Sequence, residues 1–171
     1  MSSFADLRAA RAALEARIEA REREVGPDEP ALAGDLRELG RLAHELNDHA
    51  DAEALLRRAI ALHTQALGPE HPEVATDINH LGLVLHDLGE LHDAQAAFER
   101  ALAIDEAALG ADHPSVGRDA NNLAGVLRDF GDSFSARSAL EWALRIYTAA
   151  LGPDHPTTRS VARNLAALGR R

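Results

Sequence analysis

The sequence holds no cysteine and no lysine, and aromatic residues make up only 4% of its 171 positions, with a single tryptophan and a single tyrosine. Without cysteine there is neither a disulfide framework nor a thiolate metal site, which fits a reducing compartment and leads us to expect a cytoplasmic protein. Alanine and leucine carry most of the 46% apolar content, while the β-branched and aromatic side chains that strands favour are scarce. The expected class is therefore all-α, with closely packed helices. Arginine supplies all 18 basic residues, which we read as codon composition and not as a binding device. Acids outnumber them to a formal charge of −10, whereas a surface that neutralises phosphates needs the opposite balance, so no nucleic-acid partner is expected. Met1-Ser2-Ser3-Phe4-Ala5-Asp6 runs into charged residues, so neither a signal peptide nor a membrane span is expected.

Repetition takes the place of these missing features. Leu67-Gly68-Pro69-Glu70-His71-Pro72 returns as Leu109-Gly110-Ala111-Asp112-His113-Pro114 and as Leu151-Gly152-Pro153-Asp154-His155-Pro156, each copy 42 residues after the last. One interval earlier, Gly26-Pro27-Asp28-Glu29-Pro30 keeps the glycine and prolines, with Glu29 in the histidine's place. A fixed period of this length marks a stacked helical array, so residues 1–171 are expected to form one domain. Its parts are a capping helix over 1–25, repeats at 26–67, 68–109 and 110–151, and a half repeat at 152–171. Leu7, Leu14, Ile18 and Val25 give the capping helix an apolar stripe at helical spacing. Shifted by one period, Leu14 falls on Leu56 and Ile18 on Ile60, so this is a degenerate second helix of a repeat. Each full repeat reads as a helical hairpin, with helices at 30–46 and 50–67, 72–88 and 91–109, and 114–130 and 133–151. A last first-type helix over 156–168 ends at Gly169-Arg170-Arg171.

Backbone chemistry accounts for the punctuation. Gly68, Gly110 and Gly152 follow apolar runs, where a left-handed residue ends a helix without a Cβ penalty. Pro72, Pro114 and Pro156 suit a first helical turn and hold the preceding histidine extended, as an N-cap requires. Asn47, Gly89 and Gly131 share one repeat position, and both residue types accept a left-handed turn between antiparallel helices.

Leu81, Gly82, Gly89, Ala94, Phe98 and Ala101 in the second hairpin have the spacing of the tetratricopeptide repeat. The third hairpin matches with Leu123, Ala124, Gly131, Ala136, Leu140 and Ala143, the first with Leu39, Gly40, Asn47, Ala52, Leu56 and Ala59. The usual repeat of about 34 residues is lengthened here at the end of the second helix and in the loop that follows. That longer form, with Asn121-Asn122-Leu123-Ala124 in its core, resembles the repeats of kinesin light chain and of many bacterial tetratricopeptide proteins, some attached to signalling nucleotidases. The resemblance implies a right-handed superhelix of antiparallel hairpins, about eight helices in all. It also implies a protein–protein interaction scaffold, without enzymatic activity or cofactor, that binds a peptide or protein segment in its concave groove. It equally admits a regulatory or sensor segment of a larger signalling ATPase or transcription regulator.

In this family the first helices line the concave face. Carried over position by position, that face holds Arg37, Arg41 and His44 in the first hairpin and Asn79, His80 and His86 in the second. Arg118, Asn121, Asn122 and Arg128 continue it in the third, and Arg163 and Asn164 in the last helix. An asparagine amide both donates to and accepts from a peptide backbone, so a ladder of them can hold an extended ligand, with the arginines reading acidic groups on it. The residues equally allow Asn122 and Asn164 to bridge neighbouring helices and the arginines to pair with Glu38, Asp87 or Asp129.

Nine histidines invite a metal hypothesis, but His71, His113 and His155 recur as structural residues before proline, and no His-x-x-x-His pair occurs. No metal site and no catalytic constellation is expected. On the outer face, Phe134 and Trp142 stand where the preceding repeat has His92 and Arg100, marking around Phe134, Ser138 and Trp142 a second contact patch for a partner or for self-association. In the alternative, Phe134 fills space vacated where Leu91 gives way to Ser133. The ends suggest a further contact, because residues 155–171 carry four arginines and no acid in an otherwise acidic chain. Two readings stay open: weak head-to-tail self-association, or an N-terminal helix that is an adequate polar cap and a last helix that is simply cut short.

Overall fold

A computed structural model describes residues 4–23 and 29–168. They form α1 (Phe4–Arg23), α2 (Glu29–Glu45), α3 (His49–Leu67), α4 (Pro72–Asp87), α5 (Leu91–Leu109), α6 (Pro114–Asp129), α7 (Ser133–Leu151) and α8 (Pro156–Leu168). No strand occurs among the described residues, as the shortage of strand-forming side chains predicts. Val25, Gly26-Pro27-Asp28 and Gly169-Arg170-Arg171 lie outside them. Consecutive helices pack as antiparallel hairpins α2/α3, α4/α5 and α6/α7, and each second helix also packs on the first helix that follows. First helices approach one another as well, α2 to α4 and α4 to α6, which makes theirs the inner row of a superhelix. The apolar stripe of α1 covers α2, with Leu14 and Ile18 buried against Leu32, Leu36 and Leu39.

The helix ends show why the period is so regular. The N–H groups of Asn47, Gly89 and Gly131 bond back to the carbonyls of His44, His86 and Arg128. Those of Asp48, Glu90 and Asp132 reach Ala43, Leu85 and Leu127. This double closure needs a residue at positive φ, and Asn47 at 63° tolerates it as the glycines do. At the other loops the expectation needs correction. Gly68, Gly110 and Gly152 do have positive φ (91°, 89° and 87°), but ψ values of 156°, 153° and 161° place them in an extended region open essentially to glycine alone. The chain leaves the helix stretched out, not in a left-handed turn.

The next helix is then started by histidine. The Nδ1 atoms of His71, His113 and His155 accept from the backbone N–H of Glu73, Ser115 and Thr157, each at 3.2 Å, satisfying an otherwise unpaired amide. His71→Ala should lower stability by ~1 kcal/mol, the worth of a side-chain N-cap, whereas His71→Asp should retain it. Urea unfolding of the two variants separates capping from bulk packing.

Inside the hairpins, small residues on the first helix receive large ones from the second. A Cβ placed on Gly82 would lie 2.7 Å from Cε1 of the fully buried Phe98, and one on Gly40 would lie 2.8 Å from Cγ of Leu56. The third hairpin solves the same contact with Ala124 and Leu140, both buried in one cluster.

Candidate functional site

One column of the repeat carries a buried carboxylate. Asp35, Asp77 and Asp119 lie 42 residues apart on α2, α4 and α6, and all are buried. The position facing this column, one helix earlier, changes from repeat to repeat: Arg21, His63, Asp105, Tyr147. Arg21 Nε donates to Asp35 at 2.8 Å, and Arg17 holds the same carboxylate with two bonds of 3.0 and 2.6 Å. His63 Nδ1 lies 2.6 Å from Asp77, which Arg37 also reaches at 3.1 Å. Burial raises the Asp77 carboxyl above its ordinary range, against the pull of His63 and Arg37.

In the third repeat the partner is a second acid. The carboxyl groups of Asp105 and Asp119 stand within hydrogen-bonding reach of each other, and burial raises both, Asp119 to about 7. Asp105 Oδ1 and Asp119 Oδ2 are buried without a hydrogen-bond partner, and one proton shared between them would satisfy both. Arg118 sits over it, 3.1 Å from Asp105 and 2.9 Å from Asp119. The acid column was not singled out from the sequence, although its 42-residue recurrence among apolar neighbours is legible there.

Asp119 also orients the asparagines. As an acceptor it takes Nδ2 of Asn79 at 2.7 Å, leaving Oδ1 of Asn79 to accept from Asn122 at 3.1 Å. Asn122 accepts from Asn121 at 3.2 Å, and Asn121 from Asn164 at 3.1 Å. The amides thus form a relay with one polarity from α8 to α4. Asn79 was expected on the concave surface. It is instead 1% exposed, drawn between α4 and α6 by the Asp119 carboxylate, and it supports Asn122 from beneath. Asn121 and Asn122 are half-buried and Asn164 is exposed.

Most of the predicted cations are occupied within the chain. Arg37 binds Glu73 as well as Asp77, and Arg41 binds Glu38 and Glu45. Arg128 binds Asp129 at 2.9 Å. His44 and His86 each reach an aspartate of the next hairpin, Asp87 and Asp129, at 2.7 Å, which joins adjacent first helices along the rim. Hydrogen bonding to Arg128, then to His86, holds the Asp129 carboxyl below its usual range. His80 bonds the Thr76 carbonyl through Nδ1 at 2.8 Å, and burial lowers its pKa, so it presents a neutral ring. Arg163 is exposed and makes no ion pair among the described residues; it stands with Arg159 beside Asp154 and Pro156 around a depression of about 200 Å³.

The outer patch is divided. Phe134 is 82% exposed, so it does not fill the space left by Ser133. Trp142 is half-buried, its Nε1 donating to the Ala111 carbonyl at 3.2 Å, and Ser138 Oγ bonds the Phe134 carbonyl. No group of three or more His, Asp or Glu among the described residues is placed to hold a metal, and no described helix is long and apolar enough to cross a membrane.

A sequence profile for the tetratricopeptide repeat matches residues 36–107 and 74–149, overlapping copies that span most of the hairpins. The chain belongs to the tetratricopeptide repeat family. No curated protein sequence matches it. Among solved structures it is similar to BtubC (BKLC) from P. vanneervenii, with a TM-score of 0.85 and 22% identity over 95% of this chain. The match covers 65% of BtubC, so the chain spans just under two thirds of that protein's length. It is also similar to nearly identical TPR-like repeats from Podosopora anserina named for kinesin light chain, with a TM-score of 0.77 and 23% identity over 96% of this chain and 78% of that one. The type III secretion translocator chaperone SycD from Yersinia enterocolitica follows at a TM-score of 0.63 and 17% identity, over 88% of this chain and 90% of SycD. At these identities the likeness is one of fold. The tetratricopeptide fold is one whose stacked repeats present an extended concave surface to protein partners.

Proposed function

We propose that this tetratricopeptide array is a protein–protein interaction scaffold that takes an extended peptide segment along α6 and α8, with an acidic group of the ligand at Arg163. The observation that supports this reading is the asparagine relay. Because Asp119 fixes its polarity, the relay uses only one amide hydrogen each of Asn121 and Asn122 and leaves the carbonyl oxygen of Asn164 unused. Such groups suit peptide carbonyls and N–H groups without regard to side chains. Arg128 can exchange Asp129 for a ligand carboxylate at little cost, since exposed pairs are weak. Arg37, Arg41 and Arg118 are committed to carboxylates of the array itself and shape the groove.

A tiled library of extended peptides, acidic and neutral, tests the proposal by fluorescence polarisation. Acidic members should bind and weaken with salt, as screened guanidinium contacts do. Asn121→Ala combined with Arg128→Ala should lower affinity at least about tenfold while the melting temperature changes little, because both positions are partly or wholly exposed. Undiminished binding by the double variant would sink the concave site.

A further inference from the structure

Two grooves of equal size, about 390 Å³, lie at equivalent places on the outer side of the array. In each, a second helix and the next hairpin leave a furrow floored by apolar residues: Ile60, Leu81 and Leu85 in one, Leu102, Leu123 and Leu127 in the other. The first is rimmed by charge, with Arg57, Asp93 and Arg100. The second has no charged lining residue, and its rim is Phe134, Ser135, Ser138 and Trp142. Aromatic conversion is thus confined to α7, where Phe134 is the most exposed large hydrophobic side chain among the described residues.

The charges flanking this rim are arranged for self-pairing. Arg137 and Glu141 are exposed, one turn apart, yet pair neither with each other nor with another described residue. We infer that α7 is the interface of a two-fold dimer, in which Phe134 of each copy enters the Trp142 groove of the other. Two antiparallel α7 helices with the axis level with Ala139 bring Arg137 of one copy level with Glu141 of the other, twice over. The same placement sets Phe134 within about 3 Å of level with Trp142 of the second copy, from the helical rise. Ser138, beside the axis, lets the helices approach closely. The acidity of the chain opposes most pairings of like surfaces, but the exposed charges of α7, Arg137, Glu141 and Arg145, carry no negative excess. This contact is independent of the concave site. Being isologous it closes at two copies, whereas a contact between unlike ends propagates.

Sedimentation velocity over a concentration series up to about 1 mM tests this, since small interfaces are weak. The wild-type chain should pass from monomer to dimer and no further, and Phe134→Glu should shift the transition to at least tenfold higher concentration. Arg137→Glu and Glu141→Arg should each be monomeric alone, while an equimolar mixture of the two should dimerise, because every cross-pair then joins opposite charges. All three positions are exposed, so the variants should melt with the wild type. A wild-type chain that stays monomeric throughout, a dimer untouched by Phe134→Glu, or failure of the mixture to recover association would each overturn the inference.

Discussion

Replacing Asp119 by asparagine is expected to remove a pH-dependent loss of stability and to make the protein more stable than the wild type at pH 8. In the folded chain the Asp119 carboxyl is raised to about 7, chiefly by burial and further by Asp105, against the pull of Arg118. In the unfolded chain it titrates near 3.9. Between those values the native state holds a proton that the unfolded state has released, so stability falls as pH rises from about 4 to about 7. At one pH unit per 1.36 kcal/mol, the loss is on the order of 4 kcal/mol when complete. An asparagine keeps a carbonyl oxygen for Asn79 and Arg118 and offers permanent N–H donors toward Asp105, so it imitates the protonated acid at every pH. His80 acts in the opposite sense. Its pKa is lowered by burial, so its contribution is present above about 6.5 and is lost as pH falls. Since His80 is common to both proteins, the difference between their unfolding curves isolates the acid pair. Urea unfolding from pH 4 to 8 should give a difference near zero at the acid end that grows toward neutrality. A flat difference would mean that the two carboxyls do not share a proton.

Phe98→Ala should be the most damaging truncation in the core, at about 3–5 kcal/mol for a fully buried aromatic side chain. The more informative experiment exchanges the small and large partners together. Gly82→Ala alone drives a methyl group to within 2.7 Å of the Phe98 ring, and overpacking of this kind costs about 1–3 kcal/mol. Combined with Phe98→Leu it reproduces the Ala124 and Leu140 pair of the third hairpin, which packs without conflict in the same fold. The double variant should therefore be more stable than the sum of the singles by on the order of 1–2 kcal/mol, a coupling typical of residues in contact. Strict additivity in chemical denaturation would show that the helices simply move apart at Gly82.

The concave face illustrates how far residue patterns reach. The two readings of Asn122 and Asn164, ligand ladder or interhelical bridge, could not be separated in the sequence, because both place an amide on the inner side of a first helix. The structure has the bridges, Asn122 to Asn79 and Asn164 to Asn121, and the peptide-binding reading now rests on the hydrogen-bonding groups that those bridges leave over. For the arginines, Arg41 with Glu38 was legible as a same-helix pair three residues apart, the spacing at which side chains of one helix face meet. Arg37 with Asp77 was not, since those residues are 40 positions apart and meet only through the stacking of hairpins.

The all-α class, the 42-residue period and the order of eight helices were legible in the sequence, because those depend on local conditions: helical spacing of alanine and leucine, glycine at positive φ, and His-Pro at the starts of α4, α6 and α8. The period aligns the small and large positions of the repeats, but the seating of Phe98 on Gly82 and of Leu56 on Gly40 emerges only in the packed hairpins. Only the tertiary structure decided that Asn79 is buried, that Asp105 and Asp119 share a site, that Phe134 stands free beside a groove, and which cations are already taken. Those outcomes depend on the offset and rotation between successive hairpins. Helical periodicity says which face of a helix points inward, but not how much of that face the next hairpin covers, and burial of a polar group turns on that coverage.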